Sequence, residues 1–89
     1  MPHAPLFEYQ GLDLRLTIWP EFVEVTEGAG ALRVPTATIT QVERSPWNEE
    51  LTLHTREGRL YTCALPPTEI EGAQAALAQV LKRRGATVD

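Results

Sequence analysis

Apolar and polar residues alternate through most of this chain. Leu12, Leu14, Leu16 and Ile18 interleave with Asp13, Arg15, Thr17 and Trp19, the period-two signature of a strand with one buried face. Pro20 ends that run, because proline cannot donate to a ladder. Alternation resumes over 22–26, where Val23 and Val25 oppose Glu24 and Thr26. Glu27-Gly28-Ala29-Gly30 follows with the positive-φ capacity of a hairpin turn. Residues 31–34 read as a short strand stopped by Pro35, and 36–43 as a β-branched stretch. Ile39 and Val42 are spaced by three, which breaks strict alternation and predicts a bulge, a bend or a 3₁₀ turn. A further short strand is predicted over 6–9, with Phe7 and Tyr9 on one face and a turn at Gln10-Gly11.

Residues 50–55 and 59–65 form the second-clearest unit, a hairpin. A three-residue loop, Arg56-Glu57-Gly58 with Gly58 left-handed, puts Leu53 opposite Tyr61 and sends Leu51, Leu53, Tyr61, Cys63 and Leu65 to the core. A two-residue loop, Glu57-Gly58, would instead bury Leu60, Thr62 and Ala64. The first register buries more apolar area and is preferred. The loop between this hairpin and the preceding strand holds Ser45-Pro46-Trp47-Asn48-Glu49.

At 68–84 the period changes. Ile70, Ala73, Leu77, Val80, Leu81 and the stem of Arg84 recur at helical spacing. Thr68 stands at the expected N-cap with Glu71 three residues on, a capping-box pattern, and Pro66-Pro67 are read as a barrier to an earlier start. Lys82, Arg83 and Arg84 complement the terminal carbonyls, and Gly85 suits the left-handed end of a helix. Seven short antiparallel strands and one amphipathic helix must close their apolar faces on each other. The economical arrangement is a mostly β, strongly bent sandwich or barrel capped by helix 68–84.

That order of elements resembles a bacterial pleckstrin-homology-like (PH-like) domain. The resemblance rests on 12–19, on Leu32-Arg33-Val34-Pro35 leading to Ile39-Thr40-Gln41-Val42-Glu43, on the hairpin 51–61 around Glu57-Gly58, and on helix 68–84. It implies a seven-stranded bent sandwich closed by the C-terminal helix. For some relatives it also implies lipid-surface binding. Phosphoinositide-binding members carry several cations around the first hairpin, whereas Tyr9-Gln10-Gly11-Leu12-Asp13 has only Arg15 nearby.

Composition narrows the functional classes. Eighty-nine residues make one domain, 1–89, with 1–5 a loose, proline-containing lead-in. A net charge of −4 argues against nucleic acid, which needs a basic face, and weakly against an anionic membrane surface. A single cysteine excludes an internal disulfide and fits a reducing compartment. The start lacks a signal-peptide pattern, so the expected location is the cytoplasm.

No motif rises to a named chemistry. Cys63 as a nucleophile would need a base such as His54, but in the preferred register the two face opposite sides. His3, His54 and Cys63 share no metal-ligand spacing, so neither a metal nor a cofactor is expected. Glu69 and Glu71 fit a helix first turn, Glu49 and Glu50 a solvated loop, and Glu27-Gly28-Ala29-Gly30 lacks the lysine and helix of a phosphate cradle. Lys82-Arg83-Arg84 reads as helix-end capping. Trp19 and Trp47 are better read as covering the core rim. Yet exposed tryptophans are common anchors between proteins, so Trp19, Pro46, Trp47 and Asn48 are the first candidates for a binding surface. The groove beside the helix, where a peptide could extend a sheet edge, is a second. The expected role is therefore a non-enzymatic module for protein–protein binding or self-assembly. A lipid-surface binder and a small enzyme are the competing classes.

Overall fold

A computed structural model describes residues 4–45, 49–82 and 87–88. The chain is mostly β, with two sheets and one C-terminal helix. Strands β1 (Phe7–Gln10), β2 (Leu14–Ile18), β3 (Phe22–Glu27) and β4 (Gly30–Pro35) form the first sheet as an antiparallel meander. A 3₁₀ turn, Thr36–Thr38, leads into β5 (Ile39–Arg44), which pairs with β6 (Glu50–Thr55), which pairs with β7 (Leu60–Ala64). Helix α1 (Pro67–Leu81) follows, and the two-residue strand β8 (Thr87–Val88) adds in parallel to β5.

Alternation is obeyed where it was clearest. Leu16 and Ile18 of β2 and Val23 and Val25 of β3 are buried, paired as Leu16↔Val25 and Ile18↔Val23. Two parts of the 12–19 reading are corrected. Leu12 is fully exposed in the β1–β2 turn, because Gly11 N–H donates to Leu14 O and closes the turn before the strand begins. Thr17 lies on the outer face its polarity predicts, opposite Glu24, but is buried there rather than solvated. The break at Ile39 and Val42 takes two of the expected forms together: a 3₁₀ turn before β5 and a register shift between Ile39 and Gln41. Both side chains thereby reach the core.

The β6–β7 hairpin has the preferred register, Leu53↔Tyr61 and Leu51↔Cys63. Gly58 carries φ +83, a left-handed value that L side chains seldom adopt. Its N–H donates to Thr55 O, and Thr55 N–H donates to Arg59 O. Leu51, Leu53, Cys63 and Leu65 are buried and Tyr61 is half-buried, while Leu60 is 60% exposed.

Helix α1 buries Ile70, Ala73, Ala76, Leu77 and Leu81, with Val80 partly covered. Its start differs from the sequence reading. Pro66 is the N-cap and Pro67 the first helical residue, with no side-chain cap bond, so Thr68 does not cap and no capping box forms. The physical reason is that proline at the first helical position loses no hydrogen bond and has its φ preset. The helix ends at Leu81 with Lys82 as its C-cap, short of the expected 84, and residues 83–86 lie outside the described residues, with the expected capping roles of Arg83, Arg84 and Gly85. Packed against β1, β2, β5 and β8, α1 spans both sheets. A buried threonine fastens the crossover to the first sheet: Thr36 Oγ1 donates toward Pro20 O (2.9 Å) and Glu21 O (3.1 Å), and Thr36 N–H donates to Glu21 O.

Gly72 sets how closely the helix approaches β1. A Cβ built there would stand 2.8 Å from Phe7 Cε1 and 3.2 Å from Cδ1. Gly72→Ala improves helix propensity by about 1 kcal/mol, but overpacking against a ring edge costs roughly 1–3 kcal/mol. The expected outcome is a net loss on the order of 1 kcal/mol in urea unfolding. In a Phe7→Ala background, the same change should raise stability.

Candidate functional site

The β2–β3 turn builds an aromatic and cationic face on the first sheet. Trp19 N–H donates to Phe22 O at 2.8 Å, closing a two-residue Pro20-Glu21 turn. Ile18 and Val23 point into the core, so their neighbours Trp19 and Phe22 point the other way. The two rings meet with centroids 6.1 Å apart and planes tilted by 36°. Arg33 of β4 reaches over Phe22, its guanidinium carbon 4.7 Å from the ring centroid, and its Nε donates to Glu24 Oε2 at 2.9 Å. Glu24 and Arg33 are register partners on this outer face, and Thr17 is the partner of Glu24 on the other side. The Arg33–Glu24 pair is solvent-washed and contributes little stability by itself.

Of the residues singled out for binding, Trp19 joins this cluster. Pro46, Trp47 and Asn48 lie outside the described residues. Trp19 is half-buried and Phe22 is its cross-strand neighbour, so the ring covers the outer face of the sheet at the turn rather than the core rim. Phe22 and Arg33 were missed. Phe22 was legible as the residue out of phase with Val23 across a Pro-Glu turn. Arg33 follows only once the β3–β4 register is known, and Gly28, with φ +59 at the first central position, fixes it by pairing Glu27 with Gly30.

Cys63 and His54 are kept apart. Cys63 is buried opposite Leu51 on the core face, whereas His54 pairs with Leu60 on the other face, its Nε2 3.1 Å from Glu43 Oε1. Burial pushes the Cys63 thiol up to about 11, and the Glu27 charge adds to the rise. A thiol so held is protonated at neutral pH and is a poor nucleophile. Among the described residues no group of three or more His, Cys, Asp or Glu side chains is placed to hold a metal, and His3 lies outside them. No described helix is long and apolar enough to cross a membrane.

One cleft of about 290 Å³ opens where the sheets meet, lined by Asp13, Leu14, Glu27, Glu50, Thr62 and Ala64. Its three carboxylates form no ion pair among the described residues. At the far end of the β6–β7 hairpin the charge is of the other sign. Arg59 is fully exposed there, its pKa raised first by its side-chain hydrogen bond with Tyr61 and then by the charge of Glu57.

No family model, no curated protein and no solved structure matches the chain.

The Cys63 environment gives a pH signature with a definite sign. The folded state holds the thiol proton to about pH 11, while the unfolded chain releases it near the ordinary 9.0. Stability from this group is complete below pH 9 and falls as pH rises toward 11, by on the order of 2 kcal/mol. Urea midpoints measured across that window should fall more steeply for the parent than for Cys63→Ala. Parallel profiles would refute the assignment.

Proposed function

We propose that this chain is a non-enzymatic binding module of PH-like architecture, acting through contact with another protein or with its own copies. One observation carries the reading: the outward Trp19–Phe22 pair roofed by Arg33. Tryptophan, arginine and a second aromatic ring are the residue types that concentrate binding energy at protein interfaces. Here three of them occupy adjoining positions on the side of the first sheet turned away from the core. A lone exposed apolar residue needs no explanation, but a tilted aromatic pair with a guanidinium held over one ring offers an apolar body beside a fixed charge.

The PH-like comparison is supported by the order of seven antiparallel strands followed by a helix that packs on both sheets. Such a scaffold hosts many functions, so the role lies in the surface it carries rather than in the fold. A lipid-surface role is disfavoured by the net charge of −4 and by the scarcity of cations at the β1–β2 turn.

Two measurements test the reading. Trp19→Ala should leave the urea midpoint within about 1 kcal/mol of the parent and reduce capture of protein partners from the native extract by about tenfold or more. Undiminished capture by Trp19→Ala overturns the surface. Sedimentation with anionic phosphatidylserine vesicles should leave the protein in the supernatant. Salt-sensitive pelleting would replace the protein-binding reading with the lipid one.

A further inference from the structure

The two sheets have four outer edges, and they are not equally protected. On β4 the groups of Ala31, Arg33 and Pro35 face outward, because Val23, Val25 and Glu27 of β3 bond to Val34, Leu32 and Gly30. Pro35 has no N–H, and its carbonyl already accepts from Thr38 Oγ1 at 2.7 Å. That edge is blunted. The β1 edge carries Glu8 and touches α1, and the fourth edge is β8, only two residues long and also in contact with α1. Strand β7 lacks every such device: it holds Leu60-Tyr61-Thr62-Cys63-Ala64, with no proline and no charge, and it ends its sheet.

The bonding parity of β7 is set by the hairpin turn. Thr55 exchanges its backbone bonds across the loop, so Leu53 and Leu51 bond to Tyr61 and Cys63. The N–H and C=O groups of Leu60, Thr62 and Ala64 therefore point outward from the sheet, three donors and three acceptors in a row. The charges around this edge are polarised. At the loop end stand Arg56 and Arg59 with Glu57 between them, and at the opposite end stand Glu49, Glu50, Asp13 and Glu27.

The geometry points to a two-fold dimer in which β7 pairs antiparallel with β7 of a second copy of this chain, centred on Thr62. It deepens the self-assembly reading above and rests on it. In this register Thr62 pairs with its own counterpart, and Leu60 pairs with Ala64 of the other copy, satisfying all the outward groups. Leu60, 60% exposed in the single chain, then lies over Ala64 of the other copy, at the cleft that Leu14 also lines. The same two-fold carries the loop arginines of each copy to the acidic end of the other. Net-negative chains thus meet across a neutral strand with opposite charges at both ends. A parallel alignment would set like ends together.

Sedimentation equilibrium over a wide concentration range tests this, with circular dichroism and urea midpoints as fold controls. The parent should dimerise, more weakly as salt is raised. Thr62→Lys, on an exposed face, should raise the dissociation constant by about tenfold or more, since it sets like charges at the axis. Arg59→Glu should weaken the dimer similarly, and adding Glu50→Arg in the same chain should restore it by reversing both ends. Oxidised Thr62→Cys should cross-link, its Cα atoms lying about 5.5 Å apart in such a pair. A parent that stays monomeric overturns the seam and leaves the Trp19 surface to its own test. A dimer indifferent to Thr62→Lys but lost in Trp19→Ala overturns the seam while keeping self-assembly through the other face.

Discussion

The left-handed backbone at Gly58 is the constraint from which the second sheet follows. With φ +83 at that position the loop takes three residues, and Leu53 must face Tyr61. One residue fewer would flip every β7 side chain. Leu60, Thr62 and Ala64 would then turn inward and Cys63 and Leu65 outward, exchanging a well-filled face for a poor one. The same choice decides which backbone groups of β7 are left for solvent. A single glycine thus sets the composition of the core, the burial of the only thiol and the chemistry of an open edge.

The helix closes on the sheets through small residues, and one hydroxyl fixes the crossover between them to the first sheet. Helix α1 presents Ala73 and Ala76 beside Ile70, Leu77 and Leu81, and Gly72 lets the Phe7 ring lie almost on the helix backbone. Where the chain crosses from the first sheet to the second, Thr36 is fully buried and shares one hydroxyl hydrogen between the carbonyls of Pro20 and Glu21. Those carbonyls belong to the turn that positions Trp19 and Phe22. The outer aromatic face is therefore anchored through the turn to the crossover, and its geometry is a by-product of how the sheets are connected.

Much of this was legible because the informative signals were local. Alternation over 14–18 and 22–26, the glycines at 28 and 58, and the three-residue spacing of Ile39 and Val42 each have a near-neighbour cause, and each gave the correct element. Failures came where two rules compete. Pro66-Pro67 were read as a stop, although proline at the first helical position is favourable, and that displaced the N-cap by two residues. Leu12 continued the apolar alternation but fell in a turn, because Gly11 closes on Leu14. Strand β8 has only two residues and pairs in parallel with β5, so its existence depends on a contact no local pattern records. Phe22 and Arg33 shared that difficulty, since they meet Trp19 only across strands.

Edge protection links the fold to the functional readings. A sandwich this small has few residues to spend on guarding its borders, and three of the four are guarded by means already present for other reasons. Pro35 ends β4 before the crossover, α1 touches β1 while covering the core, and the border strand β8 is only two residues long and packs beside α1. Strand β7 is the opposite border of the second sheet from β8. Its alternation buries Cys63 and half-buries Tyr61, and leaves its other side chains small or apolar rather than charged. Charge is displaced instead to the two ends of the hairpin, with opposite signs. An edge that only had to avoid strangers would carry a lysine or a proline at its centre. An edge that is neutral in the middle and polarised at its ends would repel a parallel copy and favour an antiparallel one, so any specificity it has is a matter of direction as much as of affinity.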